Sequence, residues 1–204
     1  MYNFKDIKNY IKINGVIQFS ILPLRKILSK IFVISRGTAY YFNPGNIPEK
    51  KHDQSIIVRR STFDDLDKLK EINPNIASFR DFLKNNDIFI IALINEQIVG
   101  HLIISKEIPK RYKNLINLKS DEAYVREGYI NPRYRNRGIY SLIFACASKI
   151  AESEGYSKIF GVITSNNQKS TEIHTKKFGF YPLFRFIHIR FLFLEKNWIS
   201  AIQN

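Results

Sequence analysis

Asn131-Pro132-Arg133-Tyr134-Arg135-Asn136-Arg137-Gly138-Ile139-Tyr140 is the stretch whose reading decides the fold. An extended-type run, Glu122 to Ile130, precedes it. Behind it Ile139, Leu142, Ile143, Cys146, Ala147 and Ile150 recur at spacings that keep one helical face apolar. The stretch is therefore a strand-to-helix turn. The first amides of a helix have no intrahelical partner and the macrodipole makes that end positive, so such a turn binds phosphate. Gly138 lets the chain approach a ligand closely, and Arg133, Arg135 and Arg137 add charge.

The turn has neither the Gly-Lys-Ser/Thr ending of a Walker loop nor the three glycines of a dinucleotide fingerprint. The 204 residues, 45% hydrophobic and 25% charged, provide for one substantial core and exclude a disordered chain. A net charge of +14, from 32 basic against 18 acidic residues, attracts anions in general. The basic residues are spread along the chain with no finger, basic zipper or RNP-like segment, so no nucleic-acid partner is expected. The single Cys146 excludes an internal disulfide and a cysteine zinc cluster, and no metal site is expected. The N-terminus lacks a signal-peptide layout, and no run approaches the roughly 20 apolar residues of a membrane span. A cytoplasmic location is the expectation.

Residues 1–53 read as an N-terminal extension. Leu24, Ile27, Leu28, Ile31 and Ser35 share a helical face, with Arg25, Lys26 and Lys30 elsewhere. This basic amphipathic stretch, within residues 16–34, suits an anionic membrane surface, the domain itself or a second copy in a homodimer. Tyr40 to Pro48 reads as a short strand and a connector. Residues 54–204 form the main domain. Ser55 to Arg60 is its first strand, and Thr62 with Asp65 has capping-box spacing ahead of a helix through Leu66 and Leu69. A short helix over Ala77–Leu83 follows. Ile88–Ile94 and Ile98–Ser105, joined by Asn95-Glu96-Gln97, make an antiparallel hairpin. Ile159–Thr164 is a buried-type strand, and strand, helix, strand in this order implies parallel pairing. A final strand over about Phe184–Leu194 completes the sheet.

Ile130-Asn131-Pro132 followed by Arg135-Asn136-Arg137-Gly138-Ile139-Tyr140 resembles motif A of the GNAT acetyltransferases, Val-x-Pro leading to Arg/Gln-x-x-Gly-x-Gly/Ala, with Tyr140 departing from the small last position. Asn167, Ser170 and Lys177-Phe178-Gly179-Phe180 resemble motif B, with a spacing one residue longer than the common one. The opening from Ser55 to Leu66 is similar to the start of the same fold, so the resemblance covers about residues 55–195. It implies an α/β GNAT fold: a mixed central sheet with splayed parallel strands, flanked by helices.

The resemblance further implies acetyl-CoA as cosubstrate. Its pantetheine would lie along the strand end at Tyr129 and Ile130, and its diphosphate on Arg135, Asn136, Arg137, Gly138, Ile139 and Tyr140. Asn167 and Ser170 would contact it from the other side. The family's acid is a tyrosine of the motif B helix; counting seven residues from Asn167 lands on His174. Glu122 and Glu127 are the candidate bases, and strand alternation turns them to opposite faces. His101 is a weaker candidate base, on a hairpin strand where a hydrogen-bonded structural histidine is the commoner reading. The implied activity is N-acetyl transfer to a primary amine, with nucleotide-linked amino sugars, small polyamines, antibiotics and protein N-termini all open as acceptors; the basic N-terminal extension points first to an anionic one, such as a nucleotide-linked amino sugar. The alternatives are a GNAT-like module that binds acyl-CoA or a partner protein without transfer, and a membrane adaptor built on residues 16–34.

Overall fold

The computed structural model describes residues 32–47, 55–73, 79–191 and 194–202. The chain divides into a larger unit, Gly37–Arg185 with Ala201–Asn204, and a smaller one, Met1–Arg36 with Phe186–Ser200. The strands are β1 (Phe32–Phe42), β2 (Ile56–Arg60), β3 (Ile88–Ile94), β4 (Gln97–Ser105), β5 (Glu122–Ile130), β6 (Lys158–Thr164), β7 (Tyr181–Phe191) and β8 (Leu194–Ala201). The helices are α1 (Leu66–Ile72), α2 (Phe79–Lys84), α3 (Ile139–Ser153) and α4 (Gln168–Glu172).

In the larger unit the strands lie in the order β2-β3-β4-β5-β6-β1-β7, and β5 pairs parallel to β6 while the pairings β2–β3, β3–β4, β4–β5 and β1–β6 are antiparallel. This is the mixed α/β sheet expected from the order of elements. The β3–β4 hairpin turns on two residues, Asn95 and Glu96, both at positive φ, so Gln97 already belongs to β4. Before α1, the Asp65 carboxylate accepts the Thr62 N–H at 2.8 Å, as the capping-box spacing predicts, and binds both terminal nitrogens of Arg59 at 2.8 Å.

The two faces of this sheet carry different cores. Under α1 and α2, Leu66, Leu69, Phe79 and Phe82 pack on Phe89, Ile91 and Ile103. On the other face the apolar stripe of α3, with Ile139, Ile143, Phe144 and Ala147, packs on Ile90, Leu102 and Ala123 together with Phe178 and Phe180. Cys146 joins that face as a half-buried thiol whose pKa burial raises. Period-2 and period-3.6 patterns thus meet as sheet and helix surfaces, which is why sequence periodicity located them.

Three expectations need correction. The helical stripe read through Ile31 to Ser35 does not extend past residue 31, because Phe32–Phe42 is a strand whose residues Gly37–Phe42 pair with β6; residues 16–31 lie outside the described residues. The single last strand is two, β7 and β8, neighbours in the smaller unit, where His188 Nδ1 and Asn197 Oδ1 are 2.8 Å apart. Glu122 and Glu127 do not face opposite ways. Ile103 pairs with Glu127 and Ile104 with Val125, so Arg126 is an extra residue in a β-bulge. Ala123 points into the α3 core, which sends Glu122 the other way, and Glu127 shares that side because it stands opposite Ile103. One inserted residue reverses the alternation.

Candidate functional site

Two features converge at the end of β5: a run of unpartnered amides and a gap in the sheet. After Ile130 the chain makes a 3-10 turn over Pro132–Tyr134, in which the Asn131 side chain accepts the Arg133 N–H at 3.1 Å. Asn136 (φ 65°) and Gly138 (φ 77°) then take left-handed torsions, and Gly138 caps α3. The Gly138 carbonyl accepts from Ser141 and Leu142, while the N–H groups of Asn136, Arg137, Gly138, Ile139 and Tyr140 have no protein acceptor among the described residues. A Cβ on Gly138 would meet nothing within 4 Å, so the glycine is needed for its torsion and its surroundings are open.

The cations around the turn are partly engaged. Arg135 Nε donates to the Ile130 carbonyl at 3.1 Å and ties the turn to the strand end. Lys169 Nζ, from α4, reaches Asn136 Oδ1 at 3.1 Å, and the Arg137 guanidinium lies 5.5 Å from the Tyr134 ring centre. Unsatisfied amides, a helix N-terminus and four basic side chains make this an anion cradle.

The gap lies beside it. β5 and β6 pair only at Glu122–Lys158, Ala123–Ile159 and Tyr124–Phe160, and then separate. Beyond that point β5 has β4 on one side only. The Asn131 N–H donates to the Val99 carbonyl, so by antiparallel alternation the main-chain groups of Tyr129 and Glu127 also turn to β4, and those of Gly128 and Ile130 turn to the gap. Of the two strand residues expected to offer main-chain contacts, Ile130 is on the open edge, its carbonyl held by Arg135, and Tyr129 is not. Gly128 takes its place, a residue the sequence reading missed.

On the α3 face Tyr140 covers Gly128, beside the gap. A Cβ on Gly128 would come within 3.1 Å of Tyr140 Cε2 and 3.3 Å of its hydroxyl, so the ring lies against the bare backbone of Gly128. The hydroxyl is 2.9 Å from His174 Nε2. His174 is 8% exposed and ringed by Phe144, Phe178 and Phe180; its Nδ1 is 2.7 Å from the Ser170 carbonyl and 3.1 Å from Ser170 Oγ. A carbonyl can only accept, so Nδ1 carries the proton, Nε2 is the acceptor and Tyr140 donates. Burial lowers the His174 pKa and the bond to Ser170 partly offsets it, leaving a neutral ring. Burial also raises the Tyr140 phenol.

The extra residue in the second motif has a structural outlet. Asn167 caps α4, its side chain accepting the Ser170 N–H at 3.1 Å, and the helix continues as a π-turn over Ile173–Lys177. A π-turn absorbs one inserted residue, and here it contains His174. The candidate acids separate. Glu127 is an exposed residue beside the bulge, and partial desolvation of its carboxyl raises its pKa against the pull of Arg111 and Arg126. Glu122 is buried at the opposite end of β5, where it accepts the Lys119 N–H at 2.9 Å. His101, on the α1/α2 face, is 0% exposed and neither ring nitrogen has a hydrogen-bond partner, contrary to the expected satisfied histidine.

A family model described as the acetyltransferase (GNAT) family matches residues 56–180. The fold is similar to that of a Drosophila protein, at TM-score 0.56 and 12% identity over 90% of this chain and 58% of that one. It is also similar to a GCN5-related N-acetyltransferase from Sphaerobacter thermophilus, at TM-score 0.58 and 11% identity over 89% of this chain and 58% of that one. An aminoglycoside N-acetyltransferase solved in complex with CoA aligns at TM-score 0.51 and 16% identity, over 59% of this chain and 89% of its own. The chain thus spans 58% of the length of the first two. No curated protein sequence matches it significantly.

Proposed function

The chain belongs to the GNAT acetyltransferase family, and from that premise we propose that it transfers the acetyl group of acetyl-CoA to the nitrogen of a small primary amine. The observation that carries this reading is the run of unpartnered amides from Asn136 to Tyr140, set beside the point where β5 and β6 separate. A diphosphate on those amides, with Arg133, Arg137 and Lys169 nearby, leaves the rest of an extended ligand next to the open edge at Gly128 and Ile130. The edge offers main-chain hydrogen bonds to an amide-containing chain in the manner of an added strand.

When bound, acetyl-CoA supplies the acetyl group as an activated thioester. The chain's part is to hold and orient it, and to manage one proton from the amine. Glu127, exposed on the α1/α2 side of the bulge, is the proposed base, acting on the amine directly or through water. Glu122 remains a more remote candidate. His174, the expected acid, has its own proton committed to Ser170, so we propose that it positions Tyr140 before the ligand enters. Asn167 and Ser170 shape the start of α4 opposite the turn. The strong positive charge favours an anionic acceptor, such as a nucleotide-linked amino sugar. Residues 54–204 are taken as the acetyltransferase domain and 1–53 as an extension that lends β1 to the sheet. A homodimer and a membrane contact through residues 16–34 are further proposals. Among the described residues no helix is long and apolar enough to cross a membrane.

The test is release of free thiol from acetyl-CoA in the presence of a panel of primary amines, with calorimetric binding of CoA alongside. Amine-dependent release is the expected result. Binding without release for any amine would instead support a non-catalytic module, a reading favoured by Tyr140 standing where the family has glycine or alanine.

A further inference from the structure

Tyr140 belongs to two structures at once. Its amide is the last of the free donors at the turn, and its side chain spans from Gly128 on β5 to His174 in the helix that follows β6. These are the two sides that part beyond Tyr124 and Phe160. The hydroxyl proton is committed to His174 Nε2, because Nδ1–H is spent on the Ser170 carbonyl. With the hydroxyl in place, the bare backbone of Gly128 is covered on the α3 side by a tyrosine ring.

We propose that Tyr140 is a specificity-determining gate: latched on His174 it blocks the open edge beside Gly128, and a nucleotide carrying an extended amide-containing arm is admitted only when that hydrogen bond opens. The inference rests on the diphosphate reading of Asn136–Tyr140 and adds to it a selection on the rest of the ligand. A plain nucleoside diphosphate stops at the amides and has no need of the gate. A ligand with an arm, of which CoA is one, must displace the hydroxyl. The latch is one hydrogen bond between neutral groups, worth about 1 kcal/mol, so removing it shifts the apparent affinity on the order of fivefold.

The experiment is calorimetric titration of the full chain with ADP and with CoA, for the wild type, Tyr140→Phe and His174→Leu. Tyr140→Phe keeps the ring packing on Phe144 and removes only the hydroxyl; His174→Leu breaks the latch from the other side. Both variants are expected to bind ADP as the wild type does and CoA about fivefold more tightly. Unchanged or weakened CoA binding in Tyr140→Phe, with ADP binding intact, overturns the gate and leaves the diphosphate reading standing. Failure of the wild type to bind ADP at all overturns the diphosphate reading, and the gate with it.

Discussion

Two histidines are buried on opposite faces of one sheet, and they are held in opposite ways. His174, on the α3 face, has each nitrogen bonded, one to Ser170 and one to Tyr140. His101, on the α1/α2 face, lies between Phe79, Phe89 and Tyr129, with ring centres 5.3 to 6.0 Å away, and both of its nitrogens are unpartnered. The first is part of a polar chain that reaches the candidate site. The second is a polar group desolvated among aromatic rings. An unpaired buried polar group costs far more than a paired one gains, so the two should respond differently to every perturbation.

The largest difference should come from cutting an aromatic wall on each side. Phe144 and Phe89 are both fully buried. Phe144→Ala removes the ring on which Tyr140 and Phe178 stack and against which His174 stands edge-on, and should cost about 3 to 5 kcal/mol in urea denaturation. Phe89→Ala also leaves a cavity, but one in which water can reach His101. Its cost should be smaller by at least about 1 kcal/mol. Equal costs would mean that His101 bears no desolvation penalty.

Acid should separate the two histidines next. Desolvation lowers His101 to about 4, below the ordinary value near 6.5. The unfolded chain therefore binds the proton first. The stability that depends on a neutral His101 is complete above pH 6.5, declines as pH falls, and is gone below about 4. That amounts to about 3 kcal/mol, and it should vanish from the pH profile of His101→Phe. The His174 shift has the same sign, so His174→Leu should remove a further part of the profile.

Smaller effects sharpen the account of the paired histidine. At neutral pH His174→Leu leaves the Tyr140 hydroxyl without its acceptor and should cost about 1 to 3 kcal/mol in chemical denaturation. Ser170→Ala removes Oγ but keeps the carbonyl that fixes the tautomer, so its cost should stay within about 0.5 kcal/mol. A larger loss there would show that the hydroxyl, and not the carbonyl, sets which nitrogen carries the proton.

Much of the site was readable in the chain because it is local. The turn from Asn131 to Tyr140 is specified by a proline, a glycine and the apolar stripe behind them, and the free amides at the start of α3 follow from helix geometry alone. The capping residues of α1 and α4 are equally local. The extra residue in the second motif was visible as a spacing, although nothing in it foretold a π-turn. The bulge at Arg126 left no trace, since it is a mismatch between β5 and its partner β4, two segments far apart in sequence. Its consequence, both acids on one face, could not come from counting along a single strand.

The amino-acid sequence by itself determined the order of elements, the parallel β5–α3–β6 crossover and the unpartnered amides of the turn. These depend on periodicity, torsional preference and the hydrogen bonds a helix end cannot make, all of which act over a few residues. Only the tertiary structure decided that β5 and β6 part after Tyr124 and Phe160, that Gly128 and not Tyr129 faces the gap, that Tyr140 meets His174 and that His101 has no partner. Each of these is a contact or a missing contact between distant segments, and strand register, side-chain reach and burial exist only once those segments have packed.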